Sequence, residues 1–107
     1  MSFEGETRVL SKTQKSSGNV FSDLGFDAEE ALNLKIRSDL MIELSKLIEE
    51  RGLTQTVAAE LLEVTQPRVS DLMRGKIDRF SVDSLIGMLG RAGARVSFTV
   101  TAERQVV

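Results

Sequence analysis

A chain of 107 residues with 41% apolar and 28% charged side chains has the length and composition of about one globular domain. Cysteine and histidine are both absent, so disulfides, zinc sites built on thiolate or imidazole, and catalytic triads that need an imidazole base are excluded. No phosphate-binding loop, SxxK motif or paired-acid motif is present either. We therefore expect a protein that is not an enzyme and that holds no metal or other cofactor.

The net charge of −2 is distributed unevenly along the chain. Residues 21–63 carry four basic and ten acidic side chains, whereas residues 64–107 carry seven basic and four acidic ones. This asymmetry is expected where one face of a protein meets phosphate, although a run of like charges can also be a solvated surface. The sequence starts without the apolar core of a signal peptide, and no apolar run approaches the ~18 residues of a membrane span. We expect a cytoplasmic protein with no membrane partner.

The start of the chain is predicted to be a flexible arm over residues 1–19, because this stretch is rich in Ser, Thr, Lys, Gly and Gln and has no sustained apolar period. Residues 20–26, VFSDLGF, place four apolar side chains close together. We expect this piece to dock on the core as a short turn.

A long amphipathic helix is predicted to begin after Asp27, whose side chain can cap the first-turn amides, and to close at Gly52. Apolar residues recur at steps of four and three along this helix, as expected for one buried face. They are Leu32, Ile36, Leu40, Leu44, Leu47 and Ile48.

Two short helices follow, each preceded by a threonine that can act as the N-cap. Thr54 is expected to cap a helix over 55–62, and Thr65 a helix over 66–73 that has a proline in its first turn. Gly75 is the predicted stop of the second helix.

A fourth helix is predicted from Ser81, its N-cap, to about Leu89, with Gly90 and Gly93 at its end. Its apolar residues occur at helical spacing and define the inward face. They are Val82, Leu85, Ile86 and Leu89.

The end of the chain predicts a β-strand over 95–101, where Val96, Phe98 and Val100 alternate with polar residues. The only other candidate strand is the short TRVL at 7–10, and an unpaired strand leaves its backbone groups without partners. We therefore expect this dimerisation strand to pair with the same segment of a second copy in a twofold homodimer. A hairpin with TRVL or a frayed tail is the alternative.

Residues Gln55 to Arg74 have the spacing of a helix-turn-helix. Ala59 is small where the two helices must pass closely, and Glu63 stands in the turn where glycine is usual. Glu63 must therefore adopt a strained left-handed conformation or open the turn. The apolar residues expected to pack the two helices together are Ala58, Leu62, Val64, Val69 and Leu72.

This stretch resembles the helix-turn-helix of Cro and phage repressors (XRE-like proteins). Over a longer run, with GLTQ at 52–55, PRVSDLMRGK at 67–76 and DRFSVDSL at 78–85, the chain is most similar to the HigA-like antitoxins of bacterial toxin-antitoxin systems. The resemblance implies a mainly α fold, a lambda-repressor-like helical bundle with a C-terminal β-strand used in dimerisation. We thus expect a helix-turn-helix domain over 20–93 and a dimerisation strand and tail over 94–107.

The resemblance also implies that the second motif helix lies in the major groove of DNA. The residues expected to contact DNA are Gln55, Thr65, Gln66, Pro67, Arg68, Ser70, Asp71, Arg74, Lys76 and Arg79.

The chemistry of these side chains suggests separate roles. A glutamine at position 66 can bond adenine, Arg68 and Arg74 can each bond guanine with two donors, and Pro67 can offer apolar contact to a thymine methyl. Asp71 is expected to accept from a cytosine amine or to hold Arg68 or Arg74 in place.

Three further residues are expected to contact the DNA backbone. Gln55, at a helix start, would face a phosphate. Lys76 and Arg79 would add affinity without sequence preference. As an alternative, all these polar residues could belong to an ordinary solvated helix surface.

Three functional hypotheses follow. The first is a dimeric repressor or autoregulator on a palindromic operator in double-stranded DNA, associated with the bacterial nucleoid. The second, implied by the resemblance, is an antitoxin that also neutralises a RelE-like or HigB-like toxin through its arm, its VFSDLGF segment and its acidic first helix. The third is a protein-interaction module that packs the motif without reading DNA.

Overall fold

The computed structural model describes residues 19–102, and within this range it consists of helices and connecting loops. The elements in chain order are α1 (Val20–Asp23), α2 (Ala28–Glu50), α3 (Gln55–Leu62), α4 (Gln66–Met73), the 3-10 helix η1 (Ile77–Arg79) and α5 (Val82–Arg91). The arm predicted for residues 1–19 lies outside the described residues except for its last position, as does the tail at 103–107. No helix between residues 19 and 102 has the length and apolarity to cross a bilayer.

The long helix α2 begins and ends where its sequence signals predict. The Asp27 side chain accepts a hydrogen bond from the Glu30 amide (2.8 Å), which supplies a partner to one of the free donors of the first turn. At the other end Gly52 adopts φ +65°, and the Leu53 amide then donates to the Ile48 carbonyl (3.1 Å). Both ends are thus closed by local hydrogen bonds.

Helix α5 shows the same agreement. Ser81 and Ser84 form a reciprocal capping box, in which each side chain accepts from the other residue's amide (3.1 and 3.2 Å). Gly90 lies inside the helix and not at its end, which is a small correction, because Gly93 supplies the left-handed turn (φ +87°) that stops it.

Residues 20–26 dock on α2 as the one-turn helix α1. The Asn19 side chain accepts from the Phe21 amide (2.8 Å) and donates to the Ala31 carbonyl of α2 (3.1 Å). The rings of Phe21 and Phe26 meet edge to face with centroids 6.2 Å apart. The docking is therefore confirmed for the backbone of this segment, although Val20 and other apolar side chains around it stay exposed.

The core lies where α2, α3, α4 and α5 meet. Its largest fully buried side chains are Leu40, Leu44, Leu62, Val69, Leu72, Leu85 and Met88. The predicted apolar face of α2 is correct from Ile36 onward but wrong at Leu32, which is 57% exposed. Ala31 and Leu34 are buried there instead, because α1 packs on that side of the first turns of α2.

The β-strand predicted at 95–101 is absent. Residues 94–102 have no regular secondary structure, and within the described range residues 95–102 make no backbone hydrogen bond. Val96 packs on the core, whereas Phe98 is 58% and Val100 is 90% exposed. A strand obtains its backbone partners from a neighbouring strand, and residues 19–102 of a single chain contain none.

Candidate nucleic-acid interface

Helices α3 and α4 are joined by a three-residue turn, as the helix-turn-helix spacing predicts. Glu63 has φ 60° and ψ 45°, and it is the one non-glycine residue with positive φ between residues 19 and 102. Of the two alternatives, strain or an opened turn, the structure therefore has the strained left-handed residue. With Glu63 in this conformation, the Val64 amide reaches the Ala59 carbonyl (3.0 Å) and closes α3.

The two motif helices pack as expected from their apolar residues. Their buried side chains are Ala58, Ala59, Leu62, Val69 and Leu72. Val64, in the turn, is half-buried against the same core. The small side chain of Ala59 is 7% exposed, which agrees with a close crossing of the two helices. This packing fixes α4 on the surface of the bundle along one face only.

The start of α4 differs from the prediction in one respect. Thr65 is the N-cap residue, but its side chain makes no capping hydrogen bond. A capping oxygen bonds the amide at the second or third helical position, and here the second position is Pro67, which has no N–H. The third, Arg68, donates to the Thr65 carbonyl (3.0 Å) instead. Thr65 is exposed at the start of α4, and its hydroxyl has no capping role there.

The outward face of α4 follows from its buried residues. Successive helical residues are about 100° apart, so with Val69 and Leu72 directed inward the positions furthest from the core are fixed. These positions are Pro67, Ser70, Asp71 and Arg74. Pro67 and Arg74 are exposed, and Ser70 and Asp71 are half-buried. Four of the predicted DNA-contacting residues thus share one accessible face.

Arg68 lies at the edge of that face and is held by the segment after α4. Its guanidinium carbon lies 4.3 Å from the ring centroid of the buried Phe80, and Nη1 donates to the Arg79 carbonyl (2.6 Å). Arg68 therefore has a structural contact in addition to any contact with DNA, and helical spacing alone does not predict this contact.

Asp71 has a different partner from those expected. Its carboxylate accepts from Nη1 of Arg79 (3.1 Å), not from Arg68 or Arg74. Asp71 lies in the second turn of α4, and η1 brings Arg79 beside it, a juxtaposition that depends on the loop between α4 and α5. Arg79, predicted to add affinity for the DNA backbone, also forms an ion pair that joins α4 to η1.

The amide of Gln66 also has a partner across the motif. Its Nε2 donates to the Thr56 hydroxyl of α3 (2.9 Å), in an exposed contact that links the first turns of the two helices. Gln55, the first residue of α3, is exposed beside it. The starts of α3 and α4 thus carry polar side chains near each other.

The connection between α4 and α5 contains Lys76 and Arg79 and is held by a residue that sequence reasoning missed. Arg37 of α2 donates from Nη1 to the carbonyls of Ile77 (3.0 Å) and Phe80 (3.3 Å). A signal was available, because Arg37 stands three residues before Leu40, on the buried face of α2. An arginine at such a position needs polar partners within the fold, but its spacing does not identify them.

The charge of this region is positive. From α4 to η1 the chain carries four basic residues and two acidic ones, Asp71 and Asp78. Between residues 19 and 102 no three acidic side chains come together in a way that could hold a metal ion. The arrangement suits contact with a polyanion through exposed cations and amides.

The comparisons with known proteins agree with this geometry. Residues 20–101 match the profile of a protein family described as a helix-turn-helix domain. A solved structure described as belonging to the XRE family of transcriptional regulators is 27% identical to this chain, with a TM-score of 0.66. That match covers 73% of this chain and 91% of the other. No curated protein matches the sequence. The resemblance to XRE-like regulators is confirmed, and the narrower one to HigA-like antitoxins stays a prediction.

Proposed function

Because this chain belongs to the helix-turn-helix domain family, we propose that it is a sequence-specific transcriptional repressor that binds a palindromic operator as a homodimer. The family and the similar XRE regulator support DNA binding and transcriptional regulation. The operator symmetry, the dimer and the residues that contact bases are our proposals.

The observation that carries the proposal is the accessible face of α4. Its opposite face is buried at Val69 and Leu72, so the helix is rigidly mounted, while Pro67 and Arg74 are exposed. A helix mounted in this way can enter the major groove, which is wide enough to admit an α-helix. Within residues 19–102 the contact described on this face is the ion pair of Asp71 with Arg79 of η1, and Pro67 and Arg74 stay exposed.

Within the groove, the residues of α4 would divide into base readers and backbone contacts. Arg74 offers a guanine two parallel donors, and Gln66 offers an adenine a donor and an acceptor once it leaves Thr56. The Thr65 hydroxyl, Gln55 and Lys76 would contact phosphates, which position the helix without reading sequence.

The dimer follows from the small size of one module. A single motif buries too little surface for selective binding, whereas two copies can read half-sites about one helical turn, ~34 Å, apart. The exposed Phe98 and Val100 supply an apolar alternation that can become a strand when a second copy provides the backbone partners. We propose that residues 95–101 of two copies pair in this way.

The DNA proposal is tested by selecting bound fragments from a random double-stranded pool, first with the wild-type chain and then with Arg74→Ala. We expect an enriched palindrome, and we expect Arg74→Ala to relax the preference at one base position and at its symmetric mate. Lys46→Ala, which removes an equal charge from an exposed position on α2, is the matched control.

Enrichment of no sequence by the wild-type chain would contradict the proposal. Equal behaviour of Arg74→Ala and Lys46→Ala would contradict the role given to Arg74.

The dimer is tested with the double variant Phe98→Asp, Val100→Asp. Sedimentation should show monomers, and operator affinity should fall about tenfold or more because the two half-sites are no longer bound together. Ser97→Asp with Thr99→Asp places the same charges on the opposite side of the alternation and should leave the dimer intact. A monomeric wild-type chain, or a dimer that persists in the Phe98→Asp, Val100→Asp variant, would refute the proposed dimer.

A second candidate function, that of an antitoxin, is favoured by one surface. Apolar side chains on α1, in the α1–α2 connection and at the start of α2 are exposed: Val20, Leu24, Phe26 and Leu32. Exposed carboxylates surround them: Asp23, Asp27, Glu29 and Glu30. This combination suits a basic partner with an apolar patch, such as a RelE-like or HigB-like toxin.

The antitoxin role requires a neighbouring reading frame whose product is toxic when expressed alone and is neutralised by this chain. Leu24→Asp should weaken that neutralisation, whereas Val57→Asp, at an exposed apolar residue on α3 and away from this surface, should not. If instead the chain binds a partner protein but binds DNA weakly and without salt dependence, the protein-interaction alternative is correct, because phosphate contacts give a steep salt dependence.

A further inference from the structure

We propose that Arg91, near the end of α5, is a positioning residue that fixes the turn between α3 and α4 and thereby the direction of α4. The inference rests on the proposed DNA-binding function. It adds a determinant on a helix that contributes none of the DNA-contacting residues named above.

Arg91 contacts the turn in two places. Its Nη1 donates to the carbonyl of Leu62, the last residue of α3 (3.2 Å), and its Nε lies 3.5 Å from Oε1 of Glu63. The carbonyl is one of those that a helix end leaves without an intrahelical partner. One guanidinium therefore holds both the backbone end of α3 and the side chain of the strained residue.

The two contacts have different weight. The side chains of Arg91 and Glu63 are 42% and 73% exposed, so their ion pair alone contributes little. The bond to Leu62 is part-buried and acts on the backbone where the chain changes direction. The planar fork of arginine directs separate donors to both acceptors in a fixed geometry, whereas the donors of a lysine ammonium share one atom and have no fixed direction.

The sequence makes room for this arrangement at Gly87, one turn before Arg91. A Cβ built on Gly87 lies 3.7 Å from both Nη1 and Nη2 of Arg91. This is ordinary contact, so alanine fits at position 87, while a longer side chain would occupy the space of the guanidinium. The Arg91 side chain can therefore extend along α5 to the turn only when residue 87 is small.

The need for such a clamp comes from Glu63. A glycine adopts the left-handed conformation without steric cost, but a glutamate is strained there and persists only when its surroundings hold it. If Arg91 releases the turn, Glu63 can relax and α4 changes its angle to α3. DNA contacts depend on that angle, whereas the core residues of α4 can tolerate a small rotation.

The first experiment measures operator affinity for Arg91→Ala and Arg91→Lys. We expect both variants to lose three- to tenfold affinity, with the slope of log K against log salt unchanged, because no phosphate contact is removed. If Arg91 contacts phosphate, Arg91→Lys binds like wild type and Arg91→Ala shows a slope smaller by about one; that result overturns the proposal. Wild-type affinity for both variants also overturns it.

The second experiment uses Glu63→Gly as a rescue. A glycine at position 63 needs no clamp, so the double variant Glu63→Gly, Arg91→Ala should bind within twofold of Glu63→Gly alone. An additive loss in the double variant would show that Arg91 acts elsewhere.

Two further variants keep the test valid if Arg91→Ala fails to fold. Gly87→Leu retains Arg91 but displaces its guanidinium, and should lose affinity as Arg91→Ala does; Gly87→Ala is the control and should bind like wild type. Equal affinity of the two overturns the proposal.

Amide exchange in the free protein separates this inference from the proposed function. The Val64 amide, which closes α3 on Ala59, should exchange several-fold faster in Arg91→Lys than in wild type. This readout needs no DNA, so it reports on the clamp even if the wild-type chain selects no operator. An unchanged exchange rate overturns the clamp.

Discussion

Helices α3 and α4 are alike in outline: each has eight residues, follows a threonine and precedes a left-handed residue. They differ in the hydrogen bonds of their N-cap side chains. In α3, Thr54 Oγ1 accepts from the Val57 amide (3.1 Å), so the first turn is completed by its own cap. In α4 the corresponding hydroxyl of Thr65 caps nothing.

The polar side chains of α4 also depend on other parts of the chain. Polar residues of α4 are held by elements that follow it, as in the contact of Arg68 with Phe80 and the pair of Asp71 with Arg79. The lesson is that the first turn of α3 is completed by its own cap, while α4 is oriented by its surroundings and keeps polar groups available for a second molecule.

The largest expected effects test whether α3 and α4 also differ in how firmly they pack on the core. Leu62→Ala and Leu72→Ala should each lower the free energy of unfolding by about 2–5 kcal/mol, because both side chains are fully buried. Val57→Ala, at a 45% exposed residue, should cost less than about 0.5 kcal/mol. Urea unfolding measures all three. A loss below 1 kcal/mol for Leu72 alone would mean that α4 is loosely mounted.

Substitutions at the two left-handed residues, Gly75 and Glu63, should change the stability in opposite directions. Gly75→Ala should destabilise by about 1–2 kcal/mol through its backbone conformation alone, because a Cβ there meets nothing within 4 Å. Glu63→Gly should stabilise by about 0.5–1 kcal/mol, since relief of the same strain exceeds the loss of an exposed ion pair. Thermal unfolding of both variants gives the signs, and equal signs would contradict the conformational explanation.

The two N-cap threonines should also differ in how much they contribute to stability. Thr54→Ala should cost about 1 kcal/mol, the usual value of an N-cap, and Thr65→Ala less than about 0.5 kcal/mol. If the Thr65 hydroxyl contacts DNA, operator affinity should fall for Thr65→Ala while its stability is retained. Equal stability losses would show that the hydroxyl of Thr65 caps α4 in solution.

The smallest effect concerns the edge of α4. Arg68→Lys should cost about 0.5–1 kcal/mol of stability, because the ammonium loses the stacking on Phe80 and the bond to the Arg79 carbonyl. Gln66→Ala, which removes an exposed bond to Thr56, should lie within about 0.5 kcal/mol of wild type. Chemical denaturation compares the pair, and a neutral Arg68→Lys would contradict the structural role of that arginine.

The sequence predicted well those features whose hydrogen bonds are local. The caps at Asp27, Thr54 and Ser81 and the stops at Gly52 and Gly75 involve partners within about six residues. The helix-turn-helix packing was predictable for the same reason, because apolar spacing along two short helices fixes which faces meet.

Predictions that depended on distant partners were less accurate. The spacing along α2 predicts a buried Leu32, but α1 packs on the other side of that helix. Of the partners predicted for Asp71 within the chain, Arg68 and Arg74, neither pairs with it, and its partner is Arg79. The contacts of Arg37 and Arg91 join residues 29 or more positions apart. No spacing rule along one helix could have identified those acceptors.

What the sequence determined by itself is the four longest helices, most of their ends and the motif that two of them form, because each helix completes most of its backbone bonding internally. The tertiary structure decided how the motif is held: which carbonyls the arginines of α2, α4 and α5 reach, and how Glu63 keeps its strained conformation. It also decided that residues 95–101 form no strand in a single chain, since a strand takes its bonds from a neighbour.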